Sequence, residues 1–172
     1  SHAAYGYFAS PFREKDALIF TLDGVGERIN GTISIVKNDT IEEVYRTGEA
    51  NLGRLWKYIT LLLAMKPDEH EFKVMGLAPY ANDKYANEVL KIFEENFQYV
   101  DGYDFKYRNR PKDIYFSFKK LLEGKRFDNI AGGLQLYTEK LVTKWIKNAI
   151  DITGISRIAF SGGVAMNIKL NK

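Results

Sequence analysis

The sequence contains no cysteine among its 172 residues, so it can form neither a disulfide framework nor a thiolate metal site. It has no apolar run approaching the roughly 20 residues that cross a membrane, and no signal peptide pattern. The basic excess is small and spread out, with 25 Lys and Arg against 22 Asp and Glu, whereas nucleic-acid-binding proteins carry a clustered basic patch. We therefore expect a cytoplasmic protein that binds neither membrane nor nucleic acid.

Two common catalytic signatures are also missing. There is no Gly-x-x-x-x-Gly-Lys-Ser/Thr loop, which leaves a P-loop nucleotide site unsupported, and no Ser-His-Asp or Cys-His arrangement. Apolar residues nevertheless make up 45% of the chain, which is ample for the core of one domain or large lobe. Because the chain ends soon after a strand-turn-helix start, we expect it to be a fragment of a longer protein.

The first part of the chain has strand patterns. The apolar run Ala17–Leu22 predicts a buried strand, and Asn30-Gly31 is a strong hairpin-turn signal before a second strand at 32–36. Asn38-Asp39 predicts another turn, followed by a return strand at 41–45. Together these signals predict a three-stranded antiparallel meander.

Helical spacing dominates the rest of the chain. Residues 98–112 fit either a hairpin or an irregular loop, Arg157 to Phe160 predicts a short strand, and Val164 begins another helix. Four earlier helices are expected: Leu52 to Leu63, one capped by Asp83 and ending near Asn96, a short one capped by Asp113, and the longest from Asp128 to about Thr153. The predicted fold class is α/β, with a mixed sheet and flanking helices.

The turn that starts with Ser161, Gly162 and Gly163 is the first candidate binding site. A strand that runs through two glycines into a helix presents backbone amides that favour an anion. The glycines let a phosphate or ribose approach the backbone, and Asn167, one turn later, can donate to it. The alternative is a Gly-Gly turn that serves packing alone.

Asp23-Gly24-Val25-Gly26 is the second candidate. A carboxylate at the end of a buried strand can hold a metal ion or position a phosphate, and Gly24 and Gly26 let a substrate come close. A tight turn with a solvated Asp explains the same residues. Farther on, Glu71 and Lys73 can meet ribose and phosphate, although a solvated charge pair is equally simple. His70 fits a surface residue, and His2 alone is no metal site.

In combination, these segments resemble the carbamoyltransferase family of nodulation-factor and antibiotic biosynthesis. Gln135 and Glu139 on the longest predicted helix fit the family pattern more loosely. The resemblance rests on four blocks in order: Ser1-His2-Ala3-Ala4 with Ser10-Pro11-Phe12, Leu22 to Glu27, Glu71 to Tyr80, and Ser161 to Asn167.

The resemblance implies an actin-like, sugar-kinase-like and Hsp70-like ATPase fold of the ribonuclease H-like type. Residues 1–172 would be the central part of the carbamoyl-transfer domain, without its first strands and without the C-terminal adenylate-forming domain. The implied reaction uses ATP and carbamoyl phosphate to form carbamoyl-adenylate, whose carbamoyl group passes to a hydroxyl of a sugar or other small molecule. The fragment alone would be inactive.

The resemblance also implies residue roles. His2 and Asp23 would be ligands of iron(II) or another divalent metal, and Asp23 and Lys73 would be catalytic. Glu71 and Lys73 would line the adenosine and acyl-phosphate pocket. The nucleotide would contact Gly24, Gly26, Ser161, Gly162, Gly163 and Asn167.

Some residues depart from the family pattern. Arg28-Ile29-Asn30 stands where Trp-Ala-Thr is common, and Ala81 stands where Gly often follows Pro-Tyr, which leaves the acceptor open. The alternatives are a non-catalytic nucleotide-binding module and a relative of the tRNA threonylcarbamoyl-transfer proteins. If sheet strands are missing, an exposed edge would make the fragment self-associate.

Overall fold

A computed structural model describes residues 15–24 and 28–166, without the side chains of 165 and 166. The part of the chain that it describes forms two compact units. The first holds residues 15–24, 28–53, 101–104 and 145–166, and the second holds 54–100 and 105–144. No helix in these ranges is both long and apolar enough to cross a membrane.

A four-stranded mixed sheet forms the centre of the first unit and consists of β1 (Ala17–Leu22), β2 (Gly31–Lys37), β3 (Thr40–Thr47) and β6 (Ile158–Ser161). The strand order in the sheet is β3-β2-β1-β6. β1 pairs antiparallel with β2 and parallel with β6, and β2 pairs antiparallel with β3. All six residues of β1 are buried, which explains why its sequence is a continuous apolar run rather than an alternating one.

The predicted meander is therefore confirmed, but one of the two predicted turns is not found. Asn38 and Asp39 have positive φ values of 48° and 59°, as a tight two-residue hairpin turn requires. Asn30-Gly31 is not a turn, because Gly31 already pairs with Leu22 as the first residue of β2. The connection from β1 to β2 is instead the longer segment 23–30, and Asn30 has a different use.

Aromatic packing fixes the core of the first unit. The Phe20 ring contacts Trp145 edge-on, with centroids 5.2 Å apart, and lies 6.4 Å from Phe160 on β6. Trp145 is fully buried, and its indole N–H donates to the carbonyl of Tyr103 at 3.0 Å. Such edge-to-face contacts hold the buried strand β1 against the helix that carries Trp145 (Phe127–Thr153) and against β6.

The second unit is mainly helical. Its elements are α1 (Leu52–Leu62), α2 (Glu71–Leu77), a 3-10 turn (Ala78–Tyr80), α3 (Asp83–Asn96), β4 (Gln98–Asp101), β5 (Asp104–Tyr107), α4 (Ile114–Leu121) and α5 (Phe127–Thr153), with β4 and β5 forming a two-stranded sheet. Some residues of α1, β4, β5 and α5 belong to the first unit. The open alternative at 98–112 is thus decided in favour of a hairpin, with Gly102 in its turn at φ 58°.

Helix caps follow the sequence closely, with one shift. Asp113 caps α4 as expected, its Oδ1 accepting from the Phe116 amide at 2.8 Å. The cap of α3 is Asn82 rather than Asp83: Asn82 Oδ1 accepts from the Lys84 amide at 3.1 Å, and Asp83 is the first helical residue. Both residue types cap well, so local sequence alone cannot choose between neighbours.

Helices α3 and α5 pack closely within the second unit because α5 carries glycines where they meet. A Cβ on Gly133 would lie 2.4 Å from Cγ1 of Val89. Buried polar groups are also paired there: Trp56 Nε1 donates to Thr138 Oγ1 at 2.9 Å, and the Tyr137 hydroxyl donates to the Gln98 carbonyl at 2.6 Å. Because these buried polar groups need particular partners, the hydrogen bonds favour one packing arrangement of the helical unit over other apolar arrangements.

Candidate functional site

Two candidate segments lie side by side in the first unit. Asp23-Gly24 follows β1, and Gly162-Gly163 follows Ser161, the last residue of β6. Since β1 and β6 are parallel neighbours, with Thr21 opposite Ser161, both segments leave the sheet at the carboxyl ends of these strands. Ligand sites of open α/β sheets lie just outside the carboxyl ends of the strands.

A hydrogen bond joins the two segments. The Gly163 amide donates to Oδ1 of Asp23 at 2.9 Å. Gly162 has a φ of 104°, and a Cβ there would lie 2.5 Å from the Leu22 carbonyl oxygen and 2.8 Å from Asp23 Oδ1. Only glycine fits this position, because its backbone is strained for other residues and lies directly against the end of β1.

The start of α1 packs against the Asp23-Gly24 segment. A Cβ on Gly53 would lie 2.3 Å from the Gly24 Cα, so the two backbones are in direct contact. Gly163 is more open, since a Cβ there would meet only the Gly24 amide nitrogen at 3.7 Å. The Gly24 and Gly163 backbones thus lie beside the Asp23 carboxylate without side chains that would keep a ligand away.

Asn30 is not among the predicted site residues. This residue is buried, its carbonyl accepts from the Asp23 amide at 2.9 Å, and its side chain bonds to Gly48 and Ala50. The pair Asn30-Gly31 predicts a turn, and this local signal does not reveal that the main chain of Asn30 holds Asp23.

The Gly-Gly turn differs from the expected anion site in two respects. The helix predicted from Val164 begins one residue earlier, and its described part, Gly163–Met166, is a 3-10 helix. The Gly163 amide is also bonded to the Asp23 carboxylate, so it is not a free donor for a phosphate. A phosphate beside this carboxylate would meet a like charge, and a cation between the two would remove that repulsion.

A metal ion needs more donors than the described residues bring together. Across 15–24 and 28–166, no group of three or more His, Asp or Glu side chains is arranged to hold one. Asp23 contributes one carboxylate, of which Oδ1 already accepts from Gly163. Asp23 alone thus does not make a metal site, and a metal would need ligands from elsewhere. The predicted residues His2, Gly26 and Asn167 lie outside the described residues.

Glu71 and Lys73 lie in the second unit, on α2, where they make local contacts. Glu71 Oε1 accepts from the Asp68 amide at 2.7 Å, which joins the first residue of α2 to the turn before it. Lys73 is exposed, with Nζ 3.0 Å from Nε2 of His70. His70 Nδ1 accepts from the Lys66 amide at 3.1 Å, so this half-buried histidine has a local structural role.

The second unit also has a cleft of about 480 Å³ between the end of α3, the β4-β5 hairpin and α5. Its floor includes Tyr137, whose pKa is raised well above the usual tyrosine value by burial. Its charged lining has both signs: Arg108, Lys140 and Lys144 with Glu94 and Glu95. Because Lys140 pairs with Glu94, the lining favours no single ligand charge.

Comparison with known proteins gives the family. A family model described as carbamoyltransferase N-terminus matches residues 1–172. The chain is 28% identical to nodulation protein NolNO of Sinorhizobium fredii and 26% identical to nodulation protein NolO of Bradyrhizobium diazoefficiens. It is also 30% identical to an uncharacterised protein of Methanocaldococcus jannaschii.

Each of these three alignments covers 99% of the chain, but only 25%, 31% and 34% of the respective relatives. The chain thus spans a quarter to a third of their length. The family match extends over both units and includes the Asp23 and Gly162-Gly163 segments that the sheet brings together. This chain belongs to the carbamoyltransferase N-terminus family.

Proposed function

We propose that this chain is part of an O-carbamoyltransferase and supplies part of its carbamoyl-transfer site. The carbamoyl group would come from carbamoyl phosphate, pass through carbamoyl-adenylate made with ATP, and end on a hydroxyl of a sugar or other small molecule. Family membership supports the reaction class. The acceptor, the adenylate and the nucleotide belong to the proposal.

The hydrogen bond from the Gly163 amide to Asp23 Oδ1 is the observation that carries the proposal. It fixes a carboxylate beside an exposed glycine turn at the carboxyl edge of parallel strands, where α/β folds bind ligands. A nucleotide phosphate can approach there, because Gly24 and Gly163 have no side chains. We place the nucleotide's phosphate at this turn.

A divalent cation, iron(II) in the proposal, would neutralise charge on the phosphate that leaves during transfer. Asp23 would be one of its ligands and His2, outside the described residues, another. The remaining chemistry is acyl transfer. The acceptor hydroxyl oxygen bonds to the carbamoyl carbon, the bond from that carbon to the AMP oxygen breaks, and the hydroxyl proton passes to a general base.

This chain's own part in that step is to orient and to hold charge. The Gly162-Gly163 turn and the Asp23 carboxylate keep fixed positions, so the site would be preorganised for the phosphate before the nucleotide binds. Glu71 and Lys73 stay predictions for the adenosine and acyl-phosphate groups. Lys73 is exposed and cationic, as a phosphate contact would require.

The test uses the full-length protein that carries this chain, with iron(II), ATP and carbamoyl phosphate, and without any acceptor. Carbamoyl-adenylate detected by mass spectrometry supports the proposal, and adding hydroxyl compounds should then release AMP together with a carbamoylated product. Nucleotide binding without any adenylate or transfer would favour the alternative of a non-catalytic nucleotide-binding module.

A further inference from the structure

Asn30 uses all four of its polar groups. Its amide donates to the Thr47 carbonyl, and its carbonyl accepts from the Asp23 amide, both at 2.9 Å. Its side-chain Nδ2 donates to the Gly48 carbonyl at 3.2 Å, and Oδ1 accepts from the Ala50 amide at 3.1 Å. The residue is only 8% exposed, so these bonds are shielded from water.

These bonds connect two segments that both touch the candidate site. The backbone bond holds Asp23 at the end of β1, while the side chain holds 48–50, the segment just before α1. The start of α1 in turn contacts the Asp23 turn, since a Cβ on Gly53 would lie 2.3 Å from the Gly24 Cα. Asp23-Gly24 is therefore held from both sides, and Asn30 takes part in both contacts.

The side chain has to be an asparagine at this place. The Ala50 amide needs an acceptor and the Gly48 carbonyl needs a donor, and a carboxamide offers both from one planar group. Aspartate supplies only the acceptor, and alanine supplies neither and leaves a buried amide without a partner. The side chain thus fixes where α1 begins relative to Gly24.

We propose that Asn30 is a positioning residue that, through the entry to α1, sets the Asp23 carboxylate against the Gly163 amide. This assignment deepens the proposed function and rests on it for the use of Asp23. Asn30 itself contacts no ligand in the proposal. Its effect reaches the site through the backbone of residues 23–24.

The test measures the Gly163 amide proton chemical shift by NMR on the full-length protein, without nucleotide or metal, and compares the wild type with four variants. Asp23→Ala removes the acceptor and defines the shift of a free amide. Asn30→Ala should move the Gly163 resonance at least halfway toward that value, and Asn30→Asp, which keeps the acceptor for Ala50, should move it less. Should Asn30→Ala not fold, the milder Asn30→Asp decides alone.

Thr32→Val is the matched control. It removes the 2.6 Å hydrogen bond between Thr32 and Thr21 in the same sheet and leaves Asn30 and Asp23 untouched. The Gly163 resonance should stay in place in this variant. If the Asn30 variants also leave it in place, or if Thr32→Val moves it equally, Asn30 is merely structural and the proposal is overturned.

A second measurement separates this proposal from the proposed function. Ferrous ion binding to the full-length protein should weaken several-fold in Asn30→Ala and remain unchanged in Thr32→Val. If wild-type protein and Asp23→Ala bind ferrous ion equally, the metal role of Asp23 fails, while the Gly163 shift still decides whether Asn30 positions Asp23.

Discussion

The Gly163 amide and the Asp23 carboxylate meet at 2.9 Å although 140 positions separate them in the chain. The contact arises because β1 and β6 are adjacent parallel strands, which bring the segments after them to one edge of the sheet. Neither residue alone distinguishes a ligand site from an ordinary turn. Their pairing gives the first unit a fixed carboxylate beside an open backbone.

Replacing Asp23 by Asn should lower carbamoyl transfer by the full-length protein about 100-fold, because a charged group of the proposed site is lost. The measurement is product formation at saturating ATP and carbamoyl phosphate. Asp39→Asn is the control, since Asp39 lies in the exposed β2-β3 turn at φ 59°, a conformation that Asn also tolerates. Full activity of the Asp23 variant would remove this residue from the site.

Gly162→Ala should destabilise the chain by about 2 kcal/mol or more, since the new Cβ would clash with the Leu22 carbonyl at a strained φ. Gly163→Ala, one residue on, should cost far less, because its Cβ has room. Urea unfolding compares the two variants. Equal stability of both variants would contradict the described turn geometry.

Gly133→Ala should destabilise the second unit by about 1 to 3 kcal/mol, because its Cβ would lie 2.4 Å from Val89 Cγ1 where α3 meets α5. Gly76→Ala on α2 meets no atom within 4 Å and should stabilise the helix by about 0.5 kcal/mol. Thermal unfolding distinguishes the two. If Gly133→Ala leaves the stability unchanged, α3 and α5 are farther apart than the structure shows.

Tyr137 should make the protein sensitive to alkali. Burial raises the pKa of this hydroxyl in the folded state, so its contribution to stability is complete below the unfolded tyrosine pKa of about 10 and is lost as the pH rises from there toward the folded pKa. Within that window the unfolding free energy should fall by about 1.4 kcal/mol per pH unit on this account.

Tyr137→Phe isolates this effect. At pH 7 the variant should lose about 1 kcal/mol, because the hydrogen bond to the Gln98 carbonyl is gone. Between pH 7 and pH 11 its stability should decline less than that of the wild type. Parallel pH profiles from urea unfolding would show that Tyr137 does not titrate with unfolding.

The chain by itself should self-associate, as the sequence suggests. Within the described sheet, β6 lies at one edge, and its residues, including Ile158 and Phe160, are half-exposed. Such an edge pairs readily with another strand. Light scattering over a range of concentrations should show dimers or larger species, and a monomer at high concentration would contradict the prediction.

Local sequence predicted much of the fold because its signals are local in origin. The apolar run at Ala17–Leu22, the positive-φ turn at Asn38-Asp39 and the cap at Asp113 each follow from residue type and spacing. The shift from Asp83 to Asn82 at the start of α3 shows the limit, since neighbouring residues that cap equally well give no local preference.

The interpretation of Asn30-Gly31 failed for a related reason. This pair favours a tight turn in isolation, but long-range pairing of Gly31 with Leu22 and the bonds of the Asn30 side chain to 48–50 outweigh that preference. A buried asparagine that satisfies distant backbone groups looks the same in the sequence as one in a turn.

The sequence by itself determined the family resemblance, the α/β class, most of the strands and helices, and the residue types a ligand site would need. It left the hairpin at 98–107 open and did not predict the helix Glu71–Leu77. Only the tertiary structure decided that Asp23 binds the Gly163 amide, that Gly162 has no room for a side chain, and that Asn30 holds the segments around them. The physical reason is that these contacts depend on the parallel pairing of β1 with β6 and on the antiparallel pairing of β2 with β1 and β3. No local pattern of residues encodes such pairing between segments far apart in the chain.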